Sequence, residues 1–434
     1  MKVLEKRRAH PKDRGAYAPV LEPDRQASLG DYSSLIVQEK IVEETRMYGF
    51  LVTRLILSLV IGCLSGAAVF AFESMFEAAL SVPLPSFVFF GTLVTVFASA
   101  LIVLIPEIHG TDIDVLYAAA WKKHYSISPT NAVAKYFATL FTVVVGYGGK
   151  IGPLMYVCAG MGTWMSRTLG LGDRDRRVLF ISGMAAACSA LLHTPIASAL
   201  IASEILDRSN IRYTYIFPAM ISALFGFITF NVLSGTEAVF LEPVHAVTVD
   251  ISSLWTIIAA SVLVGIVGKV LIKFFDLVGY LMETVGTELK PLLGIWIAAM
   301  IGLAFGFSWI KPFTIQEIIA RPMVASELFT QGGSYVIAIA FIVMSGASVG
   351  LVFPSMVFGV FLGKFLAAWL VLNEGMMIVV SLSAILAAML NIPVAAMVLC
   401  IELFGVDATI PAMLGSVIGY EIMKYDVIYE TLRE

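Results

Sequence analysis

Two short stretches of the sequence combine glycine and proline in a way that suits anion binding. Gly146–Pro153 (GYGGKIGP) and Gly350–Pro354 (GLVFP) each interrupt an apolar region, and a further apolar segment follows each of them. Glycine lets the backbone leave a helix, and proline is tolerated in the first turn of the next one. Such a helix start presents unpaired N–H groups and about half a positive charge. The chemistry predicted at both stretches is therefore anion binding by backbone amides.

One helix start is too weak to hold a dehydrated ion. Stripping a small anion of its water costs tens of kcal/mol in the Born limit. Half a charge at roughly 4 Å, with an effective dielectric near 20, returns only about 2 kcal/mol. Several converging helix starts and a hydroxyl or two would hold the ion and still let it leave. Because lipid satisfies no backbone groups, we expect the two breaks to face each other or a pore.

The composition around these breaks is that of an integral membrane protein. The 434 residues are 59% hydrophobic and 14% charged, and the mean hydropathy is +0.89. A spanning helix needs about 20 apolar residues, so ten or more membrane segments are predicted, several of them too short to cross alone. The net charge of −4 argues against a nucleic-acid partner. The apolar stretches lie near 51–80, 88–106, 131–146, 153–166, 178–206, 213–234, 253–284, 291–308, 335–349, 353–373, 376–404 and 408–423.

The first 47 residues are predicted to form a polar cytoplasmic arm, helical around SSLIVQEKIVEE. Residues 1–14 carry six lysines and arginines against two acids, which places this end in the cytoplasm by the positive-inside rule. No apolar core of the usual length follows, so no cleavable signal peptide is expected. Residues 48–434 are predicted to form one membrane domain.

Two parts of that domain repeat each other. Residues 178–206 match 376–404 at a constant spacing of 198, which pairs Pro195 with Pro393 and Glu204 with Glu402. Interrupted apolar segments at matching positions in two halves indicate a transporter binding site. The first repeat is predicted at about 50–232 and the second at about 253–423, with a terminal helix to 434. The residues alone do not decide whether the repeats are parallel or inverted.

The two repeat-related glutamates are interpreted as buried acids that brace backbone or polar groups rather than carry protons.

The sequence lacks the residues that a metal site, a cofactor site or an intramembrane enzyme would need. The four cysteines lie inside apolar runs without CxxC spacing, and the five histidines are scattered, so neither a metal site nor a cofactor is predicted. An intramembrane enzyme would need a paired His and Glu, an aspartate pair or a serine in a nucleophile turn, and the apolar runs contain none of these.

At these residues the chain resembles the CLC family of chloride channels and proton-coupled chloride transporters, over about residues 50–434. The family's Gly-(Lys/Arg)-Glu-Gly-Pro resembles Gly149–Pro153, and its Gly-x-Phe-x-Pro resembles Gly350–Pro354. Its Gly-Ser-Gly-Ile-Pro is echoed by Gly110–Asp114, and its late anion-contacting tyrosine by Tyr429. The four motifs occur in the family's order and spacing.

The resemblance implies an all-α membrane fold of two inverted repeats of tilted and broken helices. It also implies a homodimer in the cell membrane, with both termini cytoplasmic, lipid around it and one anion pore in each subunit. A central anion would meet two hydroxyls and the amides of the second break, and an outer anion would meet the amides of the first. The implied anion-binding residues are Thr111, Lys150, Ile151, Gly152, Leu351, Val352, Phe353 and Tyr429.

Two departures from the family concern protons. Ile151 stands where most of the family has a gating glutamate, and Ile205 stands where proton-coupled members have a second, proton-relaying glutamate. Either isoleucine could also be an ordinary apolar residue. The sequence therefore predicts passive, channel-like transport of chloride or a similar small anion. A proton-coupled exchanger that uses other residues, and a channel for fluoride or nitrate, remain as alternatives.

A third departure puts acids beside the implied inner site. Asp112 and Asp114 replace a glycine and a proline of the family motif, and a pore-facing Asp112 would weaken conduction or make it depend on pH. Thr111 and Asp114 also fit a capping-box-like helix start. Tyr429 could instead be an aromatic anchor at the membrane interface. Lys150 could extend to the surface or raise the local anion concentration.

Overall fold

The structure is a computed structural model that describes residues 29–81, 84–110, 112–145, 148–206, 213–235, 251–305 and 315–424. The chain divides into two compact units, Met1–Thr53 and Arg54–Glu434. In the first unit the described residues, from Leu29 onward, are helical. The second unit contains both glycine–proline breaks.

The described part of the chain consists of helices, turns and one isolated antiparallel bridge. The helices of the N-terminal half are α1 (Leu29–Leu80), α2 (Leu84–Leu104), α3 (Asp112–Tyr117), α4 (Pro129–Val145), α5 (Ile151–Thr168), α6 (Asp173–Leu192), α7 (Pro195–Leu206) and α8 (Tyr213–Ser234). Those of the C-terminal half are α9 (Ile251–Glu283), α10 (Lys290–Ala304), α11 (Ile315–Ala320), α12 (Ala325–Met344), α13 (Val352–Leu370), α14 (Glu374–Leu390), α15 (Pro393–Phe404) and α16 (Thr409–Met423).

Among the described residues, five helices are long and apolar enough to cross a membrane. Several other apolar helices are shorter, such as α7 and α15 with 12 residues each, and a helix of that length spans little more than half of a hydrocarbon core about 30 Å thick. The prediction that some segments cannot cross alone is therefore confirmed. The five long apolar segments are Val52–Leu80, Tyr213–Ser234, Ser253–Glu283, Ala325–Met344 and Val352–Leu370.

The predicted repeat is visible in the order of the helices. A short helix occurs third in each half, as α3 and α11, and a helix that starts with proline occurs seventh, as α7 and α15. The turn before that seventh helix is the same in both halves. The residue that follows α6, His193, has φ 58°, and the residue that follows α14, Asn391, has φ 59°. These two left-handed residues are 198 positions apart, the same spacing that relates Pro195 to Pro393 in the sequence.

The repeat-related glutamates connect the two halves. The carboxylate of Glu402, on α15, accepts hydrogen bonds of 3.0 and 2.6 Å from the amides of the second and third residues of α7. Glu204, on α7, accepts bonds of 3.2 and 2.8 Å from the corresponding amides of α15. Each glutamate thus caps the helix that carries the other, as a two-fold axis between inverted repeats requires. The interpretation that both residues brace backbone groups is confirmed.

Candidate anion site

The two glycine–proline breaks meet inside the protein. Gly149 and Gly350 form the antiparallel bridge, in which the Gly149 amide donates to the Gly350 carbonyl at 3.1 Å and the Gly350 amide donates to the Gly149 carbonyl at 2.6 Å. A Cβ atom on Gly149 would lie 2.6 Å from the Gly350 carbonyl oxygen. Only a residue without a side chain allows this approach. The expectation that the breaks face each other is confirmed.

A long helix starts on each side of this bridge. α5 starts at Ile151 after Lys150, and α13 starts at Val352 after Leu351. Neither preceding side chain caps its helix, so the first-turn amides have no side-chain acceptor from that position. The positive ends of two helix dipoles therefore lie at one place. We call this place, where Gly149 and Gly350 pair and both helices start, the junction.

The amide-bearing residues of the predicted site come together at the junction. Ile151 is 2% exposed, and Leu351 and Val352 are fully buried. Gly152 is buried, and Phe353 is half-buried in the first turn of α13. The interior is closed at this point, because these residues leave little or no surface accessible to water.

The remaining two predicted anion contacts, Thr111 and Tyr429, lie outside the described residues. The hydroxyl part of the prediction and the capping box that starts at Thr111 therefore stay predictions.

Asp112 points its carboxylate into the junction. Its side chain is fully buried at the first residue of α3. A Cβ atom on Gly152 would overlap Oδ2 of Asp112, and one on Gly350 would lie 2.7 Å from the same oxygen. The amides of Asp112 and Ile113 lie close to the carboxylate. Among the described residues, however, neither carboxylate oxygen has a hydrogen-bond partner of normal geometry.

A buried lysine on α4 faces the same region. Lys135 is fully buried, and its Nζ donates to the carbonyl of Ile108 at 2.9 Å and, more weakly, to that of Gly110 at 3.5 Å. It interacts electrostatically with Asp112. Lys135 is not among the residues predicted from the sequence. The available signal was a single charge inside the apolar run of α4, which marks a functional candidate in a membrane segment.

Lys135 belongs to a polar face of α4. Asn131, Lys135, Thr139 and Thr142 are all buried and lie three or four residues apart, so they share one side of the helix. Thr139 Oγ1 is 2.7 Å from Oγ of Ser348, just before the second break. The polar face of α4 therefore reaches both halves of the protein at the junction.

Lys150 does not offer an unpaired charge. Its Nζ lies 2.6 Å from Oε2 of Glu73 on α1 and 4.8 Å from the ring centroid of Phe76. The ion pair offsets the positive charge that the sequence analysis considered as an anion attractor. Glu73 is a second residue that the sequence analysis missed.

Ile205, at the predicted proton-relay position, is 2% exposed in α7. It belongs to the large apolar core cluster of the membrane domain. The residue before it, Glu204, is bound to two amides of α15. No titratable side chain stands at position 151 or 205.

The geometry is suited to holding an anion without a formal positive charge in direct contact. Two helix dipoles and their first-turn amides converge, and a lysine ammonium lies nearby. At roughly 4 Å and an effective dielectric near 20, two half charges contribute about 4 kcal/mol together. Direct hydrogen bonds add to this, while the weak field leaves the ion free to depart.

Comparisons with known proteins agree with this architecture. A family model described as "Voltage gated chloride channel" matches residues 87–424. An uncharacterized protein of Methanocaldococcus jannaschii is 27% identical over 298 residues, which cover 67% of this chain and 73% of that protein. A chloride/fluoride channel protein of Pseudomonas syringae pv. tomato is 24% identical over 298 residues, covering 66% of this chain and 64% of that protein. An H⁺/Cl⁻ exchange transporter of Vibrio campbellii is 25% identical over 356 residues, covering 76% and 73%.

Solved structures share the fold. A CLC-type fluoride/proton antiporter superposes with a TM-score of 0.76 at 18% identity, covering 89% of this chain and 99% of that chain. A slow cyanobacterial Cl⁻/H⁺ antiporter gives a TM-score of 0.70 at 16% identity, covering 86% and 94%. At such identities the likeness concerns the fold alone.

Proposed function

This chain belongs to the voltage gated chloride channel family, and we propose that it carries chloride or similar small anions passively across the membrane. Members of this family transport anions, as channels or as transporters. The proposed mode is channel-like, without stoichiometric coupling to protons, and no enzymatic step is involved.

One observation carries this proposal. The junction offers backbone amides of two helix starts to an anion, while the two positions where relatives keep proton-handling glutamates hold buried isoleucines, Ile151 and Ile205. An isoleucine cannot titrate, so neither position can exchange a proton for an anion. The proposed anion contacts are those predicted from the sequence, with the amides of Ile151, Gly152, Leu351 and Val352 at the centre.

The test is reconstitution of the full chain into liposomes with an imposed chloride gradient. A chloride electrode and an internal pH dye follow both ions, and liposomes without protein serve as control. Chloride is expected to move down its gradient, with a reversal potential set by chloride alone. Proton movement against its own gradient, driven by chloride, would overturn the passive mode.

Asp112 favours a second candidate, a proton-coupled exchanger. It is a buried carboxylate beside the helix starts and could exchange protons in place of the missing glutamates. The same liposome assay separates the two, because only an exchanger moves protons uphill.

We further propose that the protein acts as a homodimer in the cell membrane, with both termini in the cytoplasm and the first 47 residues as a cytoplasmic arm. These points rest on the resemblance and on the charge of residues 1–14. Chloride-like halides and nitrate are proposed ahead of fluoride, because the sequence resembles the motifs of the family's chloride channels and transporters. Flux measured with chloride, nitrate and fluoride in turn tests that order.

A further inference from the structure

Among the described residues, the buried Asp112 and Glu204 and the partly buried Glu402 have carboxylates at helix starts, and the three are not equivalent. Glu204 and Glu402 each accept two hydrogen bonds from the first turn of a helix, at 2.6 to 3.2 Å. Asp112 lies against the start of α5 and accepts no hydrogen bond of normal geometry from the described residues. The two glutamates therefore act as structural caps, and Asp112 does not.

A buried carboxylate without hydrogen bonds of normal geometry is costly to keep, because the nearby amides of Asp112 and Ile113 replace its lost water only in part. Such an exception in a native structure calls for a functional explanation. A carboxylate that is held this weakly can be displaced by another anion at the same place.

The space at the junction supports this alternation. Oδ2 of Asp112 fills the volume that the absent side chains of Gly152 and Gly350 leave open. The flanking residues Ile151, Leu351 and Val352 are 2% exposed or less. A permeating anion and the carboxylate of Asp112 therefore cannot occupy the junction together.

The charges around Asp112 also indicate that the junction holds either its carboxylate or a permeating anion. Lys135, from α4, faces it, and Asp114 interacts with it from its own helix. His109, in the preceding segment, lies in the field of Lys135, and Lys150, at the start of α5, is paired with Glu73. Among the described residues that interact with Asp112, Lys135 is positive and Asp114 is negative, so the junction has no spare positive charge for a second anion beside the carboxylate.

We propose that the Asp112 carboxylate is a tethered anion that occupies the junction and must leave it before a permeating anion can pass. Asp112 thus supplies, from α3, the charged gate that position 151 lacks. This inference rests on the proposed anion transport through the junction and adds its regulation. Because protonation removes the competing charge, anion flux is expected to rise as the pH falls.

The test compares variants of the full chain in liposomes. Asp112→Asn keeps the shape without the charge, and Asp112→Gly removes the side chain in case the first variant does not fold. Asp114→Asn is the matched control, since it removes the same charge two residues along the same helix. Folding is checked by size-exclusion chromatography, chloride flux is measured across a range of pH, and chloride binding is measured by calorimetry.

If the junction of the wild-type protein is free of Asp112 about a tenth of the time, both variants should raise the apparent chloride affinity about tenfold at neutral pH. Their flux should rise and become independent of pH, while Asp114→Asn, which leaves the Asp112 carboxylate in place, should keep a pH-dependent flux. Wild-type flux that neither Asp112 variant changes would overturn this proposal and leave the proposed function intact. Absence of flux and of binding for chloride, nitrate and fluoride in every protein would overturn the proposed function itself.

Discussion

Replacing Ile151 with glutamate would place a carboxylate at the first residue of α5. Ile151 is 2% exposed, so the new side chain lies near the bridge between Gly149 and Gly350. It would take up the amides that we assign to the outer anion and would share the junction with Asp112. We expect slower chloride flux at neutral pH, and flux that recovers as the pH falls.

The size of the effect follows from Coulomb's law. A chloride ion about 5 Å from the new carboxylate, at an effective dielectric near 20, is destabilised by about 3 kcal/mol. That energy corresponds to a factor of about 150 in occupancy. Protonation of the carboxylate removes the repulsion, so the loss should disappear in acid.

The assay is chloride efflux from liposomes between about pH 4 and about pH 8, which brackets ordinary and moderately raised carboxyl pKa values. Ile151→Gln is the matched control, because it has nearly the same shape and cannot ionise. Equal flux of Ile151→Glu and Ile151→Gln at every pH would refute the reasoning. It would mean that residue 151 lies away from the anion path.

Four further substitutions test the helix caps between the two halves and the charges near the junction. Glu402→Gln or Glu204→Gln should each lower the free energy of unfolding by about 2 kcal/mol, because the glutamine oxygen can accept only one of the two amide hydrogen bonds and its NH2 group cannot accept the other. Unchanged thermal unfolding in detergent would contradict the cross-capping. Lys135→Met should weaken chloride binding about 150-fold, since a charge about 6 Å away at a dielectric near 20 contributes about 3 kcal/mol; calorimetry checks this. Glu73→Gln should free Lys150 and raise chloride flux at low salt, with the gain lost as salt screens the charge; a gain that persists at high salt would exclude this electrostatic cause.

Much of the fold could be predicted from local signals. The glycine–proline breaks indicate helix starts, because glycine lets the backbone leave a helix and proline favours the first turn of the next one wherever they occur. The repeat was found from Pro195 and Glu204, whose partners lie at a constant spacing, and the structure keeps that spacing at the left-handed residues His193 and Asn391. The role of the two glutamates as braces was also inferred correctly from their matching positions at the ends of repeated apolar segments.

The parts that escaped prediction are contacts between distant segments. The sequence left open whether Asp112 faces the pore, because nothing in GTDID says which element covers that helix start. Only the folded chain brings α3 beneath Gly152 and Gly350. The pairing of Lys150 with Glu73 joins residues 77 positions apart, and no periodicity in the sequence connects them.

By itself the sequence determined the class of the protein, its breaks, its repeat and the absence of titratable groups at positions 151 and 205. Those features depend on residue type and on spacing along the chain, and both can be read from the sequence. The tertiary structure decided that both breaks meet at one buried bridge and that a carboxylate from a third segment fills the space beside it. That outcome depends on which helices pack together, and packing is set by many weak contacts across the whole membrane domain rather than by any single motif.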